Sequence, residues 1–308
     1  MDNSEKDWRG HACMLMAGII WGLMAPIGKA AMANGITGLD MVLFRTAGAA
    51  VCFWITSLFV QREKVERRDM IMFFFAAMLS IVCNQCCFIV GLSKTSPINA
   101  SIVTTTMPIF TLILSAIFMK EPITGKKILG VGLGVVGALI LIIGSSSATS
   151  SDGNLTGDIL CLLAQLSFAS YLAIFRKLIS KYTVITCMKW MFLYATIVAL
   201  PISYGNISQL DWASIGIATW AECFYVVFAA TFISYILMMK GQKSLRPTVV
   251  SMYNYVQPTV SCIVSAAVGL GIFGWSQAIA IVAVFSGVWL VTQSKSRQQI
   301  EEERKKKK

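Results

Sequence analysis

The sequence predicts an all-α integral membrane protein with ten transmembrane helices arranged as a 5+5 inverted repeat. Three observations predict it: an apolar composition poor in charge, a one-sided placement of basic residues, and a match between the two halves of the chain. Of the 308 residues, 56% are hydrophobic and 13% charged, with a mean hydropathy of +0.70. An ordinary soluble domain carries roughly 25% charge. That deficit excludes a soluble globular enzyme, a disordered protein and a secreted disulfide scaffold. The net charge of +11 suggests nucleic acid only until the basic residues are located. They crowd between long uncharged apolar stretches, so the expected partner is the lipid bilayer and no nucleic-acid partner is expected.

The hydrocarbon layer is about 30 Å thick, and a helix needs about 20 mostly apolar residues to cross it. Helices are favoured because they satisfy their own backbone groups in lipid. The first stretch, 12–33, has span length and no small-residue cleavage motif, so it reads as a retained helix and not a signal peptide. Asn34-Gly35 turns the chain into the second, 40–60. A basic connector leads to the third, 70–92, and Ser96-Pro97 opens the fourth, 97–119. The fifth, 127–145, is glycine-rich and ends in the Ser-rich 145–154. The sixth and seventh follow at 157–176 and 185–204, then Gly205-Asn206 marks a turn. The eighth, ninth and tenth fall at 215–239, 247–268 and 275–293. This divides the chain into a first repeat (1–150), a second (151–294) and a basic tail (295–308).

Orientation follows from charge. The N-terminus, the even-numbered connectors with their flanks, and the tail hold 23 of the 26 Lys and Arg residues. The opposite connectors hold only Lys94, while Lys29 and Arg45 fall inside spans. Positive loops stay cytoplasmic, which predicts a multi-pass protein of the plasma (cytoplasmic) membrane with both termini inside. The tail, ending Arg304-Lys305-Lys306-Lys307-Lys308, either meets anionic lipid, at about 1 kcal/mol per basic residue near the surface, or is simply solvated.

A shift of 150 residues aligns 91–143 with 241–293 without gaps. Pro97 falls on Pro247, Pro108 on Pro258, Gly91 on Gly241 and Gly137 on Gly287. With seven prolines in the whole chain, two coincident pairs carry weight. A shift of 147 sets Ala17 on Ala164, Trp21 on Phe168 and Lys29 on Arg176. Five spans per copy is an odd number, so the second copy enters the membrane upside down. Inverted copies of this kind exchange conformations around a central site, as alternating access requires.

The stretch Gly91-Leu92-Ser93-Lys94-Thr95-Ser96-Pro97, then Ala100-Ser101, Met107-Pro108 and Lys120-Glu121-Pro122 before the glycine-rich 130–137, resembles the EamA-type signature. Trp21-Gly22, Lys29 and Arg45 are similar as well. The resemblance is to the drug/metabolite transporter superfamily and covers roughly 11–293. It implies a 5+5 inverted-repeat exporter or permease of small metabolites. In that family the first four helices of each half surround a central cavity, and the fifth and tenth lie peripherally. The second half departs from the pattern, since Gly271 stands where the acidic counterpart of Glu121 would be.

Polar residues inside spans are the candidate substrate-binding set: Trp21, Lys29, Asn84, Gln85, Thr104, Tyr171, Tyr235, Tyr253, Asn254 and Gln257. Amides exposed to lipid would go unsatisfied, so they point inward, either to line a pocket or to bond a neighbouring helix. Trp21 and Tyr253 offer flat faces for stacking on a substrate or for packing between helices. Lys29 and Arg45 either snorkel to the outer interface or meet a substrate carboxylate or phosphate. Pro108 and Pro258 each remove an amide donor inside matching helices, so kinks are expected near 104 and 254, either as hinges or only to shape the cavity.

No catalytic constellation is visible, and a non-enzymatic role is expected. A single histidine, His11, and cysteines such as Cys83, Cys86 and Cys87 inside apolar runs suggest neither a metal site nor a cofactor. No phosphate loop is present, and Asp40 and Glu222 are the best proton-coupling candidates. The expected function is transport of small organic metabolites such as amino acids, most simply export, by alternating access. The rival readings are a broad-specificity drug exporter and a receptor or scaffold that transports nothing. The pattern leaves oligomeric state open.

Overall fold

The computed structural model describes residues 3–94, 103–144, 155–212, 215–267 and 275–295. Among these there are ten long helical segments, one short one and no strand. We label the long ones α1 (Asn3–Ala33), α2 (Gly38–Ser57), α3 (67–94), α4 (Met107–Met119), α5 (Gly125–Gly144), α6 (Leu155–Ile174), α7 (Val184–Ile207), α8 (217–244), α9 (247–267) and α10 (Trp275–Thr292). A short helix, Arg176–Lys181, joins α6 to α7. Residues 97–102 of the fourth expected span, the 145–154 connector, Gly271 and the end of the tail lie outside the described residues.

Five segments are each long and apolar enough to cross a bilayer: Gly38–Ser57, Arg67–Gly91, Leu155–Ile174, Val184–Ile207 and Ile217–Ser244. The outward faces of these and of the shorter apolar helices are apolar too. Ile71, Ile117, Phe224 and Trp289 all stand exposed, as a soluble protein of this size would not tolerate over so wide a surface.

Local chemistry explains several boundaries. Thr37 and Asp40 close a capping box at the start of α2: the Thr37 side chain accepts from the Asp40 amide, and Asp40 Oδ2 accepts from the Thr37 amide at 3.0 Å. This gives Asp40, a proton-coupling candidate by sequence, a capping role. Lys120 ends α4 in the left-handed conformation (φ 54°) and turns Glu121 back toward the bundle. At the far end of the chain, Arg246 Nη2 donates to the carbonyls of Val291, Thr292 and Ser294, which caps the C-terminus of α10 with a positive charge.

Two helices are not α-helical throughout. Residues Met78–Cys83 of α3 and Tyr225–Ile233 of α8 wind as π-helix. The 150-residue shift carries 78–83 onto 228–233, so the two π-stretches occupy equivalent places in the repeat. Neither contains the Pro or Gly that would announce a distortion in sequence.

The halves are interleaved. α3 and α4 both pack on α6, and their counterparts α8 and α9 both pack on α1. α2 pairs with α7 and α5 with α10, each helix against its own counterpart. A pseudo-two-fold axis demands this pattern, and the packing obeys it residue by residue. A Cβ added to Gly91 would stand 2.8 Å from the Gly157 carbonyl and 2.7 Å from Cys161 Sγ. The equivalent glycine, Gly241, packs against Gly10 and Met14, which the 147-residue shift places on Gly157 and Cys161. In the α5–α10 crossing, Gly130 faces Gly287 and Gly137 faces Ala280, again two equivalent pairs. The fold is therefore a ten-helix inverted repeat.

Candidate functional site

The centre of the bundle is built where α1, α4, α6, α8 and α9 converge. A narrow space there of at most about 290 Å³ is lined by Trp21, Met107, Phe168, Met238, Tyr253 and Asn254, among others. Trp21 and Phe168 are repeat equivalents, so the two halves present an aromatic ring each. The Trp21 indole N–H is fixed by the Ala230 carbonyl at 3.0 Å, and its ring meets Tyr235 edge-on, with centroids 5.9 Å apart. Tyr253 OH and His11 Nδ1 share a hydrogen bond of 2.7 Å. Asn254 Nδ2 reaches the Thr104 carbonyl at 3.5 Å, and Asn254 Oδ1 accepts from Gln257 Nε2 at 2.7 Å.

Asn254 stands where it does because the helix is broken. Residues Tyr253–Tyr255 form one 3₁₀ turn, and α-helix resumes at Val256 just ahead of Pro258. In the first half, a turn at Thr105-Thr106 precedes Met107, and Pro108 occupies the first turn of α4. Each proline lacks the amide that would have bonded four residues back, toward Thr104 and Asn254. The disruption ahead of each proline is a turn in the first half and a 3₁₀ turn in the second.

Other expected site residues lie outside this space. Asn84 Nδ2 donates to the Ala164 carbonyl of α6 at 2.9 Å, a bond between helices. Tyr171 is fully buried and donates to Gln242 Oε1 at 3.1 Å. Gln85 Nε2 donates to the Tyr235 hydroxyl at 3.3 Å, and Gln85 Oε1 is buried with no partner. The Lys29 side chain lies outside the described residues. Glu222 Oε2 is likewise buried without a partner, on α8.

Sequence reasoning missed Met107, Met238 and Phe168 as lining residues. The alignment of Phe168 with Trp21 was the available signal; the methionines have none, because apolar residues are everywhere in this composition. Arg45 does not snorkel. It is 8% exposed, and its Nε donates to Thr231 Oγ1 on α8 at 3.0 Å.

At the end of the bundle where the basic connectors gather, charged ties join the halves. Glu121 Oε2 accepts from Lys127 Nζ at 2.8 Å and from Thr248 Oγ1 at 3.1 Å, while Oε1 lies 3.9 Å from Arg176 Nη1. Lys127 is wholly buried. One first-half carboxylate thus holds the ends of α6 and α9. Nearby, Lys181 Nζ donates to Asp69 Oδ2 at 2.6 Å and Glu66 Oε1 at 2.7 Å, and these bonds raise the ammonium above its ordinary range.

The family model described as "EamA-like transporter family" matches this chain twice, over residues 8–143 and 155–293. Among curated proteins, the chain is 24% identical over 243 residues to "Uncharacterized transporter YyaM" of Bacillus subtilis, covering 78% of this chain and 79% of that one. It is 24% identical over 322 residues to "WAT1-related protein At2g40900" of Arabidopsis thaliana, covering 96% and 80%. A solved crystal structure superposes with a TM-score of 0.75 over 92% of this chain and 98% of its own, at 14% identity. At that identity the likeness concerns the fold alone.

Proposed function

The chain belongs to the EamA-like transporter family, and on that premise we propose that it carries small organic metabolites, amino acids or close relatives of them, outward across the cytoplasmic membrane by alternating access. It is a multi-pass membrane transporter; substrate class, direction and mechanism are our reading. In it, the repeats at 1–150 and 151–294 rock about a common centre, and both termini, with the tail 295–308, face the cytoplasm. The observation that carries it is that each half matches the same family model while its helices find their partners in the other half. Two copies locked together in this way have two arrangements of similar energy, related by a half-turn about an axis in the membrane plane.

The central space is lined by helices of both halves. Its lining of three aromatic rings, methionines and Asn254 suits a solute with both an apolar body and a hydrogen-bonding group. Trp21, Tyr253 and Asn254 are the residues we assign to contact with it. Counterflow in proteoliposomes tests the reading: vesicles preloaded with one metabolite from a labelled panel should take up the same labelled metabolite faster than empty-loaded ones. A protein that gives no counterflow with any member is not such a carrier.

A further inference from the structure

We propose that Arg45 receives the acidic group of the transported solute, a carboxylate or phosphate that carries an N–H or O–H donor close beside it. The inference rests on the carrier reading above and adds the recognition chemistry to it.

Arg45 is the eighth residue of α2, so it lies roughly 10 Å inside the helix at 1.5 Å per residue. A guanidinium has five N–H donors and is always charged. Here one donor, Nε, is bonded to Thr231 Oγ1. Among the described residues, no carboxylate lies within 4.0 Å of it, although the same chain pairs Lys127 and Lys181 with acids. A cation buried at this depth without a counter-charge is costly and marks function.

The π-stretch builds the acceptor. Thr231 sends its own hydroxyl proton to the Val226 carbonyl five residues back, at 2.8 Å, which is the spacing a π-turn opens. Its oxygen is then free to accept from Arg45, and the fork of the guanidinium is left for an oxyanion, which it fits with two parallel bonds.

The second observation lies one turn further along α8. Tyr235, four residues on from the Thr231 that Arg45 bonds, accepts from Gln85 Nε2. That leaves Gln85 Oε1 buried and unpartnered, an acceptor in want of a donor. A cation with donors to spare and an amide oxygen with no donor therefore meet α8 at positions one turn apart, Thr231 and Tyr235. An acid group with an adjacent N–H or O–H satisfies both. Met238, the next residue on this face, already lines the central space, so the acid group sits at the edge of the solute's room.

The repeat itself does not ask for this charge. Shifts of 147 and 150 residues carry Arg45 onto Phe192 and Ala195, both apolar.

Binding to the purified full-length protein tests the proposal, with three probes: L-leucine, inorganic phosphate and L-leucinamide, in which the acid is capped. The wild type should bind L-leucine or inorganic phosphate at least tenfold more tightly than L-leucinamide, and whichever acid binds tells carboxylate from phosphate. Arg45→Gln should lose at least tenfold for that acid and leave L-leucinamide unchanged. Arg45→Lys, which keeps the charge and loses the fork, should fall between. An acid no better than L-leucinamide in the wild type, or bound equally by Arg45→Gln, overturns the proposal. Counterflow read in parallel separates the two ideas. Equal flux of the acid in wild type and Arg45→Gln removes Arg45 and keeps the carrier, whereas Arg45-dependent binding without flux keeps the anion site and removes the carrier.

Discussion

Asn84 and Asn254 are the same side chain in two different situations. Asn84 bonds the backbone of α6, whereas Asn254 borders the central space with its amide shared between Thr104 and Gln257. Asn84→Leu should therefore lower the melting temperature, by the equivalent of about 0.6–2 kcal/mol for a lost bond between helices, and leave the affinity of the folded protein unaltered. Asn254→Leu should weaken binding by about 1–3 kcal/mol where a polar solute group loses its partner, with a smaller effect on melting. Calorimetry on folded protein reads both. Lys181 supplies a prediction with a sign. Its pKa is raised in the folded state, so its bonds to Asp69 and Glu66 contribute fully below the ordinary lysine value near 10.4 and fade as pH rises beyond it. Lys181→Met should then be less stable than wild type at pH 7, with the gap closing at strongly alkaline pH. Residue types in this chain announce that a polar group faces inward. They do not announce which inward neighbour it meets, because that depends on a rotation of the helix by a fraction of a turn.

At the scale of elements, α5 and α10 cross at contact distance because glycine lets backbone meet backbone. A Cβ at Gly130 would sit 2.7 Å from the Gly287 carbonyl, while at Gly132, two residues on, nothing lies within 4 Å. Gly130→Ala should cost about 1–3 kcal/mol by overpacking. Gly132→Ala should be neutral or stabilising by up to about 1 kcal/mol, through helix propensity alone. Thermal unfolding of the two variants in detergent distinguishes them. The number and order of helices were readable from apolar length and turn residues, and the glycine pairs even marked the crossing. The first helix begins earlier than expected, at Asn3, since its polar opening lies in no apolar run. The π-stretches in α3 and α8 left no trace in composition. They arise when side-chain and interhelical contacts outweigh one i→i−4 bond, a balance that only the packed bundle sets.

For the whole molecule, the two ends of the bundle are unequal. Glu121 ties Lys127, Thr248 and Arg176 at the end of the basic connectors, and its counterpart by sequence is Gly271. Removing the carboxylate leaves Lys127 buried and unpaired, which costs about 3–5 kcal/mol. Glu121→Gln should unfold earlier. In the folded fraction a cysteine at position 250, buried beside this cluster, should react with a thiol reagent applied from the basic side, where the parent with Glu121 should not. Equal reactivity in both would mean that the cluster holds the fold and does not bar the way in. The alternation of basic and neutral connectors made the two ends legible in sequence. That one end is fastened across the halves was not, because Arg176 and Thr248 are brought to Glu121 only by the interleaving.

Three contacts join residues 150 apart: Gln85 with Tyr235, Thr104 with Asn254, and Thr105 with Tyr255. Each is a residue touching its own counterpart, which happens only on the axis itself. When two halves trade arrangements, a contact between unlike positions must be broken on one side and remade on the other. A contact between counterparts maps onto itself and survives the trade. Under the proposed alternating access, these three pairs are the fulcrum of a balance whose arms are α1, α3, α4, α6, α8 and α9, and a solute held beside them is gripped where the protein stays still while the doors change places.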